Sequence, residues 1–251
     1  MTVGNGWKTA NMSSRRTKRT SIGNPPIAAT SIALTEPGVF PAVTSALAWS
    51  AVAGLVAFAA LALDVALFHR TSPYPIDAAV NSWVTNNRVG WLVALSQVMA
   101  RIGAGFIGDL VIPGIIVVTF VFARRWRQAI IIATALLVSG GLVQLVKVLV
   151  HRARPPHALV LESSWSFPSG HATHAATLVV LLMLALRWWW VAVAGTIYAV
   201  AMAASRVYLG VHWLTDVAAG LAFGACIAIL MTVVVGWLLA RIVPSASPPP
   251  Q

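Results

Sequence analysis

The 251-residue chain has little charge and few of the side chains that form cross-links. Only 9% of its residues are charged, whereas 59% are hydrophobic, which is more than a soluble domain of this length buries around one core. A soluble globular protein is therefore excluded, and a chain that crosses a membrane several times is predicted. The single cysteine, Cys226, excludes a disulfide within the chain.

What the chain has in abundance is apolar segments of membrane length. A hydrocarbon core of about 30 Å needs roughly 20 apolar residues per helical span. Six segments meet this need: 43–67, 105–123, 129–150, 170–186, 189–206 and 214–240. The predicted fold class is all-α, a polytopic bundle of six transmembrane helices.

The remaining segments predict three further features. Residues 75–103 place apolar side chains at helical spacing and predict an amphipathic helical segment on the outer membrane surface between spans one and two, with a packed interfacial loop as the alternative. Residues 1–42 predict a flexible basic tail in the cytoplasm, and 243–251 a proline-rich tail. The membrane domain is thus expected over 43–242.

Lysine and arginine predict the orientation, because they accumulate in cytoplasmic loops near span ends. In a six-span layout one side carries Lys8, Arg15, Arg16, Lys18, Arg19, Arg124, Arg125, Arg127, Arg187 and Arg241. Both termini are therefore expected in the cytoplasm. The basic composition, rich in alanine and valine, is compatible with a bacterial inner membrane, which is the expected location. The net charge of +11 forms no basic face, so nucleic acid is excluded and anionic lipid is the expected partner of the tail.

Three polar clusters lie at the ends of the spans on the predicted outer side of the membrane. The first cluster consists of cations, which the tendency of lysine and arginine to lie in the cytoplasm does not explain. Lys147 and Arg154 are seven residues apart and would share one face of a helix that ends near Pro155. Together they suit a doubly charged phosphate. Arg152 lies between them, and topology does not explain it.

The second cluster is the string Pro168-Ser169-Gly170-His171, which opens the fourth span. Its backbone N–H groups are expected at a helix N-terminus that faces an anion. Ser169 would cap the helix or donate to a phosphate oxygen, and Gly170 would let the backbone approach. By itself such a string is as often a plain helix start.

The third cluster contains Arg206, His212 and Asp216. Because four residues separate His212 from Asp216, the two are expected on one helix face. A carboxylate that holds one imidazole nitrogen leaves the other free as a nucleophile. Arg206 would be a third cation on the phosphate.

With these motifs the chain resembles the type 2 phosphatidic acid phosphatase superfamily of membrane lipid phosphatases. The family signature is Lys, six residues, Arg-Pro; then Pro-Ser-Gly-His; then Ser-Arg, five residues, His, three residues, Asp. Every position is matched here, from Lys147 through Ser205 to Asp216.

The resemblance implies metal-independent hydrolysis without a cofactor, through a phosphohistidine. It assigns His212 as nucleophile, Asp216 as its support and His171 as the general acid and later base. Phosphate binding falls to Lys147, Arg154, Ser169, Gly170 and Arg206. The expected substrate is a membrane lipid phosphate, either a polyprenyl diphosphate or a phosphatidate-type lipid, met at the extracytoplasmic face.

Three alternatives remain at this point. A metal ion could be held by His171, His212 and Asp216, although a two-metal site needs more converging carboxylates than a chain with six offers, and only Asp216 lies in a cluster. Vanadate haloperoxidases use the same anion-binding motifs, but on soluble bodies. A lipid or anion transporter would use the cations but would not need a nucleophilic histidine.

Overall fold

The structure, a computed structural model, describes residues 1–2, 43–103 and 105–242. The predicted tails therefore lie outside the described residues, apart from Met1 and Thr2. The described part is helical, without a strand. Its helices are α1 (Ser45–Phe68), α2 (Pro75–Asn86), α3 (Gly90–Ile102), a π-helical segment (Phe106–Val111) continuing into α4 (Ile112–Phe122), α5 (Trp126–Val150), α6 (Gly170–Leu186), α7 (Trp189–Tyr208) and α8 (Leu214–Ile242).

By length and composition, four of the described helices can cross a membrane: α1, α5, α7 and α8. A fifth span is obtained if α3 forms a single broken span together with the π-helical segment and α4. The bend between the two parts of that span is 49°. The helix α6 is apolar but has only 17 residues. The predicted all-α fold is confirmed, whereas the count of six spans stays a prediction.

The segment 75–103, predicted as an interfacial helical segment, forms two helices. The helix α2 begins with Pro75, whose fixed backbone angle suits the first helical position, and it ends at Asn86. The helix α3 then runs from Gly90 and packs on α7, whereas α2 contacts both α7 and α8. These contacts bring α2 to the beginning of α8, where part of the candidate site lies.

The helix α6 packs against α5, α7 and α8. Small residues permit its closest approach, to α8: a Cβ at Gly224 would lie 2.2 Å from the Thr173 carbonyl oxygen, and one at Gly220 would lie 2.8 Å from that of Ser169. Such packing is typical of membrane bundles, where helix association depends on van der Waals contact and hydrogen bonds. It holds the first turn of α6 against the first turn of α8.

Large apolar side chains cover the outside of the described helices. Leu63, Phe122, Leu137 and Ile197 are all exposed. In water such a surface would be unfavourable, whereas in a bilayer it meets lipid chains. The outer faces of α1, α4, α5 and α7 therefore fit a lipid environment.

Candidate active site

The first cluster is assembled by a loop rather than by one helix face. The helix α5 ends at Val150, and His151 adopts a left-handed conformation, so Arg154 lies beyond the helix. The prediction that Lys147 and Arg154 share a helix face, with the exit near Pro155, is therefore wrong. The two cations nevertheless meet at Ser164, whose Oγ accepts from Lys147 Nζ at 2.8 Å and from Arg154 Nη2 at 3.2 Å.

Arg154 connects this loop to the third cluster. Its Nη1 donates to the Val211 carbonyl at 2.6 Å and lies 3.3 Å from His212 Nε2. Burial lowers the pKa of Arg154 below its usual value, although Glu162 and Asp216 oppose that effect. The guanidinium stays charged at neutral pH, because an arginine side chain keeps its proton far above pH 7.

The second cluster lies at the start of α6, as predicted. Ser169 is the N-cap residue, but its hydroxyl makes no capping bond, and within the described chain its buried Oγ has no hydrogen-bond partner. The first helical residue is Gly170, and His171 Nε2 donates to the Ala100 carbonyl of α3 at 3.1 Å. The ring of His171 is thus anchored from α3.

The third cluster spans the turn between α7 and α8. Arg206 lies in the last turn of α7 and is buried, with an ion pair to Glu162. His212 precedes α8, which begins at Leu214, so the expected common helix face is wrong. The chain reversal at Gly210, where φ is +69°, still places His212 Nδ1 3.5 Å from Asp216 Oδ2. That separation is longer than a close hydrogen bond.

Burial and charge set the protonation state of His212. Burial lowers its pKa to about 4, and Arg154 and Lys147 act in the same direction, while Asp216 opposes them. The imidazole is therefore neutral at pH 7. With the proton on Nδ1, facing Asp216, the lone pair of Nε2 faces Arg154.

A cavity of about 650 Å³ joins residues of all three clusters. Its polar end is lined by Lys147, Arg154, Gly170, His171 and His212. The rest has a largely apolar wall from α4 and α5 that includes Val117, Leu136 and Val143. Asp109 and His174, which lie outside the motifs, line it as well. Five of the eight predicted site residues thus line a space that could hold an anion with an apolar chain attached.

A second cavity, of about 470 Å³, shares His171 and Glu162 with the first and is more polar. Its walls include Gln97, Arg101, Glu162 and Arg206. Ser169 and Asp216 line neither cavity, and both are fully buried beside the site. The eight predicted residues therefore divide into a group that faces a cavity and a buried pair.

Three residues of this region were missed by sequence reasoning. Asp77 and Glu162 were placed outside any cluster, and Arg152 received no role. Arg152 is fully buried and donates to Asp216 Oδ1 at 2.5 Å and to Asp77 Oδ2 at 2.7 Å. The one sequence feature that pointed to it was its conflict with the expected membrane orientation.

Glu162 lies among the cations of the site. It pairs with Arg206 and lies 3.9 Å from Arg154 Nη2. Burial alone would raise the pKa of Glu162, but Arg206 and Arg154 outweigh it and hold that pKa below its usual value. In the described part of the chain, no three His, Cys, Asp or Glu side chains converge as a metal ion would require.

Membrane-length helices with this cluster of cations, histidines and a carboxylate define a class of integral-membrane phosphatases. The chain belongs to the PAP2 superfamily, which its residues 128–240 match. It is 31% identical to phosphatidylglycerophosphatase B of Bacillus subtilis over 66% of this chain and 86% of that one. It is 27% identical to undecaprenyl-diphosphatase of Sulfolobus acidocaldarius, over 70% and 86% of the two chains.

A solved structure has the same fold. The crystal structure of a transmembrane PAP2-type phosphatidylglycerolphosphate phosphatase from Bacillus subtilis superposes with a TM-score of 0.61 at 29% identity. The match covers 79% of this chain and all of the other. The chain is therefore a multi-pass membrane protein and a lipid phosphatase, as the motifs predicted.

Proposed function

We propose that the protein hydrolyses a phosphomonoester or diphosphate of a membrane lipid without a metal ion, through a phosphohistidine on His212. One observation carries the proposal: the neutral imidazole directs Nε2 toward Arg154 at the polar end of the cavity, while Nδ1 faces Asp216. A nucleophile oriented by a carboxylate and placed beside a phosphate-binding cation is the arrangement that covalent phosphoryl transfer needs.

Three cations and two buried donors hold the phosphate in this proposal. Lys147, Arg154 and Arg206 neutralise its charge and stabilise the oxygens as bonds to phosphorus change. Ser169 Oγ and Arg206 Nε are buried donors without a partner among the described residues, so a phosphate oxygen would satisfy both. The amide of Gly170, at the N-terminus of α6, adds a further donor.

The reaction has two steps, each with a proton transfer. His212 Nε2 attacks phosphorus, the bond from phosphorus to the lipid oxygen breaks, and His171 protonates that oxygen. Because Nε2 of His171 donates to Ala100, the transferred proton comes from Nδ1 of the imidazolium form, which the adjacent phosphate stabilises. Water then attacks phosphorus and gives a proton to His171, the bond from phosphorus to His212 Nε2 breaks, and phosphate leaves.

The cavity walls support a lipid as the substrate. An apolar wall from α4 and α5 leads to the cations, so an acyl or polyprenyl chain fits where a sugar would not. The similar proteins are named for phosphatidylglycerophosphate and undecaprenyl diphosphate. We infer a polyprenyl diphosphate or a phosphatidate-type lipid as the substrate.

The proposed topology has six spans, with α4 and α6 as the two short ones. The basic residues then place both termini in the cytoplasm of a bacterial inner membrane. The candidate site and the helices α2 and α3 face the outer surface. The membrane domain extends over 43–242, between the two tails.

The decisive experiment compares His212→Asn with His157→Asn in detergent-purified protein. His157 is an exposed loop histidine whose backbone is left-handed, a conformation that asparagine tolerates, so its variant is a matched control. Phosphate release from undecaprenyl diphosphate, phosphatidylglycerophosphate and phosphatidic acid is measured with EDTA present. We expect release from at least one lipid, lost in His212→Asn and retained in His157→Asn.

Labelled substrate adds a test of the intermediate. An acid-labile phosphate on the protein, trapped by rapid denaturation, is expected in the wild type and absent from His212→Asn. Turnover that survives in His212→Asn would contradict the proposal, and so would activity that EDTA abolishes.

A further inference from the structure

The hydrogen-bond network behind Asp216 begins on α2, a helix that carries no motif residue. Asp77 lies in the first turn of α2 and is 1% exposed, and Arg152 is 0% exposed. Arg152 donates through Nη2 to Asp77 and through Nη1 to Asp216. One guanidinium therefore links α2 to the carboxylate beside the candidate nucleophile.

Thr215 reinforces this link from the first turn of α8. Its backbone N–H donates to Asp77 Oδ1 at 2.9 Å. Its hydroxyl donates to Asp77 Oδ2 at 2.7 Å and accepts from Arg152 Nη1 at the same distance. Asp77 is thus bonded both to Arg152 and to the residue next to Asp216.

The two oxygens of Asp216 have different partners. Oδ1 accepts from Arg152, whereas Oδ2 accepts from Ser166 Oγ at 2.7 Å and from the Trp213 N–H at 2.9 Å, and it faces His212. A carboxylate bonded at both ends has a fixed plane. Its orientation toward His212 therefore depends on where Arg152 is held.

Charge gives Asp77 a second effect on the same histidine. Two carboxylates surround one guanidinium, so the buried trio has a net single negative charge. Without Asp77, the positive charge of Arg152 would be balanced by Asp216 only, and the cluster would have no net charge. The electrostatic stabilisation of His212 as it gains a bond to phosphorus would then be smaller.

We infer that Asp77 is a positioning residue for the nucleophile, acting through Arg152 on Asp216. The inference rests on the proposed role of His212. It makes α2 part of the reaction machinery: the helix fixes the plane of the orienting carboxylate and preserves its charge. Asp77 itself does not line the cavity.

The test is Asp77→Asn, with Asn86→Ala as its control. Asn86 is an exposed residue of the same helix, α2. We expect Asp77→Asn to lower kcat about tenfold to hundredfold, the range seen when partners of an orienting group are removed, with KM changed less than about threefold. Asp77→Glu, which restores the charge, should recover part of the rate, and Asn86→Ala should match the wild type.

Inhibition by vanadate distinguishes a positioning role of Asp77 from a loss of folded protein. Vanadate mimics the pentavalent phosphorus and bonds to the nucleophile, so its inhibition constant should rise with the fall in kcat. A purely structural role would reduce the amount of folded enzyme and leave that constant unchanged. Titrations of the folded fraction with lipid and with vanadate therefore measure how far Asp77→Asn changes kcat and the inhibition constant.

The pH dependence gives an independent measure. The charged or titratable groups near His212 are Lys147 of α5, Arg154 and Glu162 of the loop, His171 of α6 and Asp216 of α8. Removing the negative charge of Asp77 disfavours the imidazolium, so the acidic limb of kcat/KM should move to lower pH in Asp77→Asn.

A wild-type kcat and vanadate constant in folded Asp77→Asn would overturn the inference, while loss of activity in His212→Asn would still support the proposed function. If Asp77→Asn does not fold, Thr215→Val provides the test of the inference. That variant keeps every charge and removes the hydroxyl shared by Asp77 and Arg152, so kcat should fall several-fold. An unchanged kcat there would overturn the inference as well.

Discussion

Arg152 and Arg154 are two residues apart on the same loop, yet they belong to opposite sides of the site. Arg152 is enclosed between Asp77 and Asp216, with its charge balanced inside the protein. Arg154 lines the cavity, where it bonds to carbonyl and hydroxyl groups and lies near His212. In the proposed mechanism, partners and burial, rather than residue type, therefore decide whether an arginine supports the nucleophile or binds the substrate.

The contrast between an enclosed and an open side chain also distinguishes two carboxylates, Asp216 and Glu162. Asp216 is enclosed by donors from three directions, whereas Glu162 is partly exposed and pairs with cations that face a cavity. A buried trio cannot exchange its partners without leaving a charge unpaired. The pair of Glu162 and Arg206 can exchange, because a substrate phosphate would offer the same guanidinium a stronger acceptor.

The largest expected effect comes from breaking the enclosed cluster. Arg152→Met leaves two carboxylates buried without their cation, which should destabilise the protein by about 3 to 5 kcal/mol. Arg154→Met, by contrast, should lose most of kcat/KM and little stability, since its side chain faces the cavity. Thermal unfolding in detergent, with phosphate release from the folded fraction, measures both.

Arg70→Met is the control for this pair, because its side chain is exposed. Equal loss of thermal stability in the variants of Arg152 and Arg154 would contradict the distinction between an enclosed and an open arginine.

A smaller effect is expected from Glu162→Gln, which removes the carboxylate that competes with phosphate for Arg206. A partly exposed ion pair is worth at most about 1 kcal/mol, so KM should fall roughly two- to fivefold with kcat little changed. Steady-state kinetics on the preferred lipid give the split. A higher KM would instead mean that Glu162 holds Arg206 in place for the substrate.

The smallest change at neutral pH concerns protonation of His212. Because burial lowers its pKa to about 4, the imidazole is already neutral at pH 7, and kcat/KM should fall only as the pH drops through about 4. A bound phosphate favours the imidazolium, so the acidic limb of kcat should lie at higher pH than that of kcat/KM. A pH series of initial rates tests this. A kcat/KM limb near 6.5 that is separate from the titration of the substrate phosphate would contradict the burial of His212.

Much of the site was predictable because its residues lie in short motifs. The helix start at Ser169, the position of Arg206 at the end of α7 and the closeness of His212 to Asp216 follow local spacing. Two details were wrong for local reasons. The left-handed His151 ends α5 early, and the turn at Gly210 leaves His212 outside α8.

The partners of those motifs were not predictable. Asp77 meets Thr215 across 138 residues of sequence, and Glu162 meets Arg206 across 44. No spacing rule connects such positions, because they lie on separate elements. One sequence feature alone indicated a further functional residue: Arg152 lies on the predicted outer side, where the membrane orientation does not explain a cation.

The sequence by itself determined that this chain enters a membrane, belongs to a family of lipid phosphatases and carries a histidine with a carboxylate nearby. Composition sets the first, the resemblance of three short motifs to a known family indicates the second, and the short distance in sequence between His212 and Asp216 sets the third. The tertiary structure alone decided that Asp77 and Arg152 lie behind Asp216 and that Glu162 faces the cations. Those contacts depend on how helices pack, above all on the glycines that hold α6 against α8, and packing joins residues that are distant in the chain.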